Sequence, residues 1–234
     1  MKVALLGDIH ANEAALQAVL YAADEERVEA FLVTGDLVGY YFRPARVIEL
    51  LRALGRPVHM VRGNHEDMLR LRRDDPSQAA RIRAKYGSGL DVALDELVAP
   101  DCEALFALPH PQRLCVGSRE VVLSHGAPHS VDRYVYPDAD QATLQACAVS
   151  GADLVVMGHT HYPFARAMGE TILVNPGSVG QPRNGARGAC WALYDSETGH
   201  VALRVAHYDT SALVGECRQR HPELPYLWEV LLRT

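Results

Sequence analysis

No apolar run in this sequence approaches the ~20 residues that a membrane-spanning helix requires, so no membrane association is expected. The opening Met1–Leu6 meets Gly7 and Asp8 at once. It reads as a short buried strand, not as the longer apolar core of a signal peptide. The five cysteines, Cys102, Cys115, Cys147, Cys190 and Cys217, are odd in number and form no CxxC pair. That argues against a disulfide framework and a thiolate zinc site. Reduced thiols fit a cytoplasmic protein. There is no long run of like charge, no internal repeat and no low-complexity segment. A formal net charge of −6 offers no basic face of the kind a nucleic-acid partner would need.

What remains is an ordinary globular composition, 48% hydrophobic and 22% charged, over 234 residues, long enough to bury a substantial core. Short apolar runs alternate with helical patterns. Lys2–Leu6, Phe31–Thr34 and Val58–Val61 read as strands. Between them, Asn12 caps a helix carrying Ala15, Leu16, Val19 and Leu20, and Pro44 opens one carrying Val47, Ile48, Leu51 and Leu54. This βαβαβ opening predicts a layered α/β fold. Residues 66–111 are charged, helical in pattern and without a clear strand. They read as a helical insertion or cap on a single domain spanning 1–234, and as a candidate contact for a homodimer. Strand patterns return at Val121–Ser124, Leu154–Met157, Ile172–Asn175, Cys190–Tyr194 and Val201–Ala206, and the tail from Thr210 reads as helical.

The metal-capable residues fall where strands end. Asp8 and His10 follow the first strand, Asp36 the second, Asn64 and His65 the third. His125 follows Val121–Ser124, and His159 and His161 follow Leu154–Met157. In an open α/β sheet, ligands bind at the carboxyl ends of strands. The pairs Asp8/His10 and His159/His161 are spaced i, i+2, so extended backbone would turn each pair to one side. Imidazole mixed with carboxylate suits manganese, iron, zinc or nickel better than magnesium or calcium. Two carboxylates against two divalent ions leave positive charge to attract a phosphate and acidify a shared water. Single histidines such as His59, His110, His129, His200, His207 and His221 read as structural.

The ordered blocks Gly7-Asp8-Ile9-His10, Gly35-Asp36, Gly63-Asn64-His65-Glu66, Ser124-His125-Gly126 and Gly158-His159-Thr160-His161 resemble the calcineurin-like metallophosphoesterase superfamily. The loop Asn175–Arg183 resembles its small bacterial phosphodiesterase branch. The resemblance implies a four-layer α/β/β/α sandwich with the helical insertion. It implies two metal ions, manganese foremost, with Asp8, His10 and His161 on one, Asn64, His125 and His159 on the other, and Asp36 on both. A metal-bridging hydroxide would then attack phosphorus in line, with His65 at the leaving oxygen. Arg62, Arg183 and Tyr40 are candidate substrate contacts, and the run Tyr40–Phe42 reads either as a stacking surface for a base or aromatic leaving group or as core or rim packing.

Relatives that act on phosphoproteins carry Asp and Arg where this chain has Gly39 and Tyr40, so neither the carboxylate that would orient His65 nor a gripping arginine is supplied there. The resemblance of the Asn175–Arg183 loop to the phosphodiesterase branch implies phosphodiesters as the small-molecule or nucleotide substrate, and the missing arginine agrees with a singly charged diester. Alternatives are a phosphomonoesterase or protein phosphatase, a dinucleoside polyphosphate hydrolase, and, remotely, a non-catalytic scaffold on the same fold. A dinuclear zinc hydrolase of the lactamase type would need an HxHxDH block, which this sequence lacks.

Overall fold

The structure is a computed structural model, and it describes residues 1–233. Strands β1 (Lys2–Leu6), β2 (Ala30–Val33) and β3 (Val58–Met60) run parallel, joined by helices α1 (Glu13–Glu25) and α2 (Pro44–Arg52). The predicted βαβαβ unit is present. Asn12 caps α1 by accepting from the Ala15 amide, and Pro44 occupies the first turn of α2. Antiparallel β9 (Ala189–Asp195) and β10 (His200–Ala206) extend this sheet in the order β10-β9-β1-β2-β3. The second sheet runs β4-β5-β6-β8-β7, from β4 (Gln112–Val116), β5 (Arg119–Leu123), β6 (Leu154–Val156), β7 (Phe164–Met168) and β8 (Thr171–Asn175).

Strand alternation stacks these sheets. Val3, Leu5 and Leu32 face Val121, Leu123, Leu154 and Val156 between the sheets. The alternate residues Ala4, Leu6, Phe31 and Val33 face the outer helices. On the far side, Val122, Val155 and Leu173 pack against α7 (Gln141–Cys147). Period-two side-chain alternation thus gives the predicted four layers, helix, sheet, sheet, helix.

Residues 66–111 are helical as expected, with α3 (Asn64–Asp74), α4 (Ala79–Tyr86), α5 (Gly89–Glu96) and α6 (Ala99–Phe106). Leu69, Ile82, Leu90, Ala93, Leu105 and Phe106 join the same core as α1 and α2, so these helices complete the outer layer of the first sheet. Tail helices α8 (Ser211–Arg220) and α9 (Tyr226–Leu232) cover the segment after Asp36. There Tyr41 and Phe42, both fully buried, pack with Val214, Leu227 and Val230. Of the two readings of Tyr40–Phe42, core packing holds for Tyr41 and Phe42, and Tyr40 alone turns to the site. His221 fastens the tail, its Nε2 accepting from the Ser88 amide at 3.0 Å.

Two edge strands and one short helix lie outside the sequence expectation. β4 and β7 border the second sheet and are half exposed, so their polar residues hide the apolar run that marks a buried strand. Among the described residues, no helix is long and apolar enough to cross a membrane.

Candidate metal centre

The metal-capable residues meet at the carboxyl ends of β1, β2, β5 and β6 and at the start of α3. Ligand atoms of Asp8, His10 and His161 lie within 4.8 Å of one another, as do those of Asp36, His125 and His159, and those of His10, Asp36 and His65. Asp36 lies between the two histidine groups. Its Oδ2 is 3.8 Å from His10 Nε2 and 3.5 Å from His125 Nε2. Asn64 adds its Oδ1 at 2.8 Å from His125 Nε2.

The loops achieve this by leaving extended backbone. Asp8, His10, Asp36, His159 and His161 all sit in the left-handed region, with φ between 51° and 68°. The pairs Asp8/His10 and His159/His161 therefore converge through left-handed turns and not, as the i, i+2 spacing predicts, through extended backbone. Each such residue costs on the order of 1–3 kcal/mol and persists only where its surroundings impose it. Here the surroundings are hydrogen bonds. Asp8 N donates to the Gly35 carbonyl at 3.1 Å and His10 N to the Asp36 carbonyl at 2.9 Å. The loop Asn175–Arg183 braces the other side. Ser178 Oγ donates to the Asp8 carbonyl at 2.7 Å, and Asn175 Nδ2 to the Gly158 carbonyl at 2.7 Å. Gly180 must be glycine, because a Cβ there would stand 1.9 Å from the Ile9 carbonyl oxygen.

Backbone carbonyls also fix the tautomers. The Nδ1 atoms of His10, His125 and His161 lie 3.1, 2.8 and 2.7 Å from the carbonyls of Val38, Thr34 and Gln181. Each ring must donate there, which leaves a bare lone pair on Nε2. His159 is reversed: Nε2 is 3.3 Å from the Asp132 carbonyl, and Nδ1 faces inward. The inward nitrogens then oppose each other, His10 Nε2 to His161 Nε2 at 3.2 Å and His125 Nε2 to His159 Nδ1 at 3.0 Å. Burial holds the His10, His125 and His161 rings neutral, well below their usual pKa, and pushes His159 down to about 4. Their contacts with Asp8 and Asp36 are thus not ion pairs. Lone pairs meet lone pairs with no proton between them, and a cation placed there satisfies all of them. The donor set fits metal ions.

The acids point the same way. Burial pushes Asp8 up to about 8, against the pull of Arg183. Burial, then Glu66 and Asp8, raise Asp36 well above the carboxylate range. Without bound ions the pocket favours neutral groups, and divalent ions would reverse that.

Glu66 is the residue whose role the sequence left unassigned. It is fully buried, and its carboxylate accepts from the amides of Asp36, Leu37 and Gly63 at 2.9, 2.7 and 2.8 Å. It locks the Asp36 loop to the first turn of α3. The His65 amide donates to Asp36 Oδ1 at 2.8 Å.

Residues 1–199 match the calcineurin-like phosphoesterase superfamily domain. The chain belongs to that superfamily. Phosphodiesterase YfcE of Escherichia coli is 24% identical over 206 residues, covering 84% of this chain and 89% of that protein. The crystal structure of a metallophosphoesterase from Sphaerobacter thermophilus aligns with a TM-score of 0.78 at 26% identity, over 98% of both chains. A hypothetical protein from Pyrococcus horikoshii shares the fold, with a TM-score of 0.86 at 24% identity over 98% of this chain and 97% of that one. Membership makes this chain a metal-dependent phosphoric ester hydrolase.

Of the phosphoesterase's remaining candidates, His65 is buried against His10, Tyr40 and Tyr86, with ring centroids 4.7, 4.8 and 5.3 Å away. Its Nδ1 has no hydrogen-bond partner, and burial lowers its pKa to about 3. Gly39 makes room for the ring, since a Cβ there would come within 2.0 Å of Nδ1. Arg183 and Tyr40 are brought together, the guanidinium donating to the Tyr40 hydroxyl at 3.2 Å. Arg62 is directed elsewhere: it lies 2.8 Å from Asp67 and donates to the Leu108 carbonyl at 3.2 Å.

Proposed function

We propose that this phosphoesterase hydrolyses phosphodiesters at a centre of two divalent ions. Asp8, His10 and His161 would hold one ion, Asn64, His125 and His159 the other, with Asp36 shared. The observation that carries this reading is the facing of neutral imidazole lone pairs on both sides of the Asp36 carboxylate. The mixed imidazole and carboxylate donors suit manganese, iron, zinc or nickel better than magnesium or calcium, and manganese is the ion proposed. When bound, two such ions supply positive charge for the phosphate and acidify a water.

The side chains do the rest. Carbonyls of Val38, Thr34, Gln181 and Asp132 hold four imidazoles in the ligating tautomer. Glu66 keeps Asp36 in register with α3. Arg183, steadied by Tyr40, offers its guanidinium to a non-bridging phosphate oxygen. The neutral His65 ring, its Nδ1 without a partner, would hydrogen-bond the leaving oxygen. A diester fits because it carries one negative charge, and Arg183 is the arginine whose charge reaches Asp8 and Asp36, while Arg62 is held by Asp67. The similarity to YfcE, named a phosphodiesterase, supports the same substrate class. The free cysteines, four of them buried, suit a cytoplasmic location.

Paired assays of the manganese-loaded protein on bis-nitrophenyl phosphate and nitrophenyl phosphate test the substrate class. A higher kcat/KM for the diester is expected. A preference for the monoester would overturn the reading.

A further inference from the structure

A cleft opens beside the Asn64, His125 and His159 group. Asn64 and His159 line it next to the centre, and Met68, Leu71, Tyr86 and Tyr134 line the remainder. Its apolar character comes from two separate parts of the chain: helix α3 with Tyr86 at the end of α4, and the loop between β5 and α7 that carries Tyr134. The Tyr134 ring is stacked on His159, with centroids 3.9 Å apart and planes 24° apart. Tyr136 lies parallel to Tyr134 at 5.8 Å and 8°. Yet Tyr134 and Tyr136 remain 46% and 43% exposed, and Leu71 is 40% exposed. Exposed large apolar side chains grouped at a site mark a binding surface more often than scattered ones do.

The charges at this cleft are unlike those at the centre. Asp67 and Asp132 also line it. Asp67 is paired with Arg62, whereas Asp132 is exposed and, among the described residues, forms no ion pair. The Asp132 carboxylate accepts hydrogen bonds from N–H groups, while the Lys85 ammonium lies 4.9 Å from the centroid of the Tyr86 ring. A flat, uncharged group bearing N–H donors suits such walls, since aromatic surface takes up a base plane and a carboxylate takes up its amino group.

We propose that this cleft is the nucleobase subsite of the enzyme, so that its substrates are nucleoside phosphodiesters. The inference rests on the phosphodiesterase reading and adds Tyr86, Tyr134 and Asp132 as specificity-determining residues. The phosphate lies at the metal-capable centre and the base enters the cleft against the exposed parts of Tyr86 and Tyr134.

Competitive inhibition of the manganese-loaded enzyme isolates the base. Adenosine monophosphate and ribose phosphate carry the same phosphate and differ by the base alone. With bis-nitrophenyl phosphate as reporter, the adenosine compound should inhibit about ten-fold more tightly, the scale of one base stacking on aromatic side chains. Tyr134→Leu and Tyr86→Leu should each shrink that ratio toward one. The ratio is internal to each variant, so a general loss of turnover does not mimic the effect. A variant too slow to assay is titrated with both ligands by calorimetry. Equal inhibition in the wild-type enzyme, or an unchanged ratio in both variants, would overturn the subsite. If the wild type cleaves nitrophenyl phosphate and not the diester, the diester reading fails. Nitrophenyl phosphate then serves as the reporter, and the ratio still judges the base site separately.

Discussion

His10 and His161 present their Nε2 atoms to each other across 3.2 Å, while the Nδ1 of each is engaged with a backbone carbonyl. Both rings are buried and neutral, so no proton can sit between them. The pair is an arrangement of two acceptors that a cation completes. The same logic holds for His125 and His159 on the other side of Asp36.

The metal-free protein should therefore show a distinctive pH dependence of stability. Asp8 has a folded pKa raised from 3.8 to about 8, so its stabilising contribution is full below 3.8 and is lost as pH rises through about 8. Asp36 is shifted in the same direction. The buried histidines act oppositely: their folded pKa values lie below 6.5, and their contribution is lost as pH falls below that value. Above pH 6.5 the acids act alone. Thermal melts of chelated protein should give a Tm that falls between pH 6.5 and 8, while the metal-loaded protein does not follow that fall. A Tm of the chelated protein that is flat or rising over this window would contradict the buried-acid account.

Glu66→Gln tests the brace under Asp36. The carboxylate accepts three amide N–H groups, and an amide side chain must turn its own donors toward at least one of them. An unsatisfied buried group costs roughly 1–3 kcal/mol, so a clear drop in Tm is expected. Metal affinity should fall with it, because Asp36 loses its register. A variant with wild-type Tm and wild-type metal content would show that Glu66 is not a brace.

His65→Ala should be read against leaving-group pKa. The ring is neutral and its Nδ1 has no partner, and in the proposed function it would hydrogen-bond the departing oxygen. Help of this kind is typically worth ~10²–10⁴-fold where a proton is transferred. Alkyl leaving groups should lose most and nitrophenol least. A uniform loss across leaving groups would assign His65 to packing between His10 and Tyr86.

The sequence carried the fold where periodicity was strong. Lys2–Leu6 and the α1 and α2 stripes are continuous buried patterns, and each appears as expected. Edge strands β4 and β7 were not legible, because half of each faces solvent and the apolar signal is diluted. The clustering of Asp8, His10, Asp36, His125, His159 and His161 followed from their place after strands. Their left-handed backbone did not, since long-range hydrogen bonds from Ser178 and Asn175 stabilise those turns, and no local propensity encodes such contacts. Tyr41 and Phe42 stay ambiguous between stacking surface and core in the sequence, because nothing local reveals that α8 and α9 cover them. Glu66 was visible within its motif, but its three amide partners exist only once β2 and α3 are side by side. Tyr134 and Asp132 lie in a loop without periodicity, and their relation to His159 is purely tertiary.

A metal titration reads whether two ions share Asp36. Chelated protein is titrated with manganese while bound metal and bis-nitrophenyl phosphate turnover are followed together. Turnover should be negligible without metal and should reach its plateau at two ions per chain. Asp36→Asn should weaken both binding steps. Full turnover in metal-free protein, or a plateau at one ion per chain, would contradict the account.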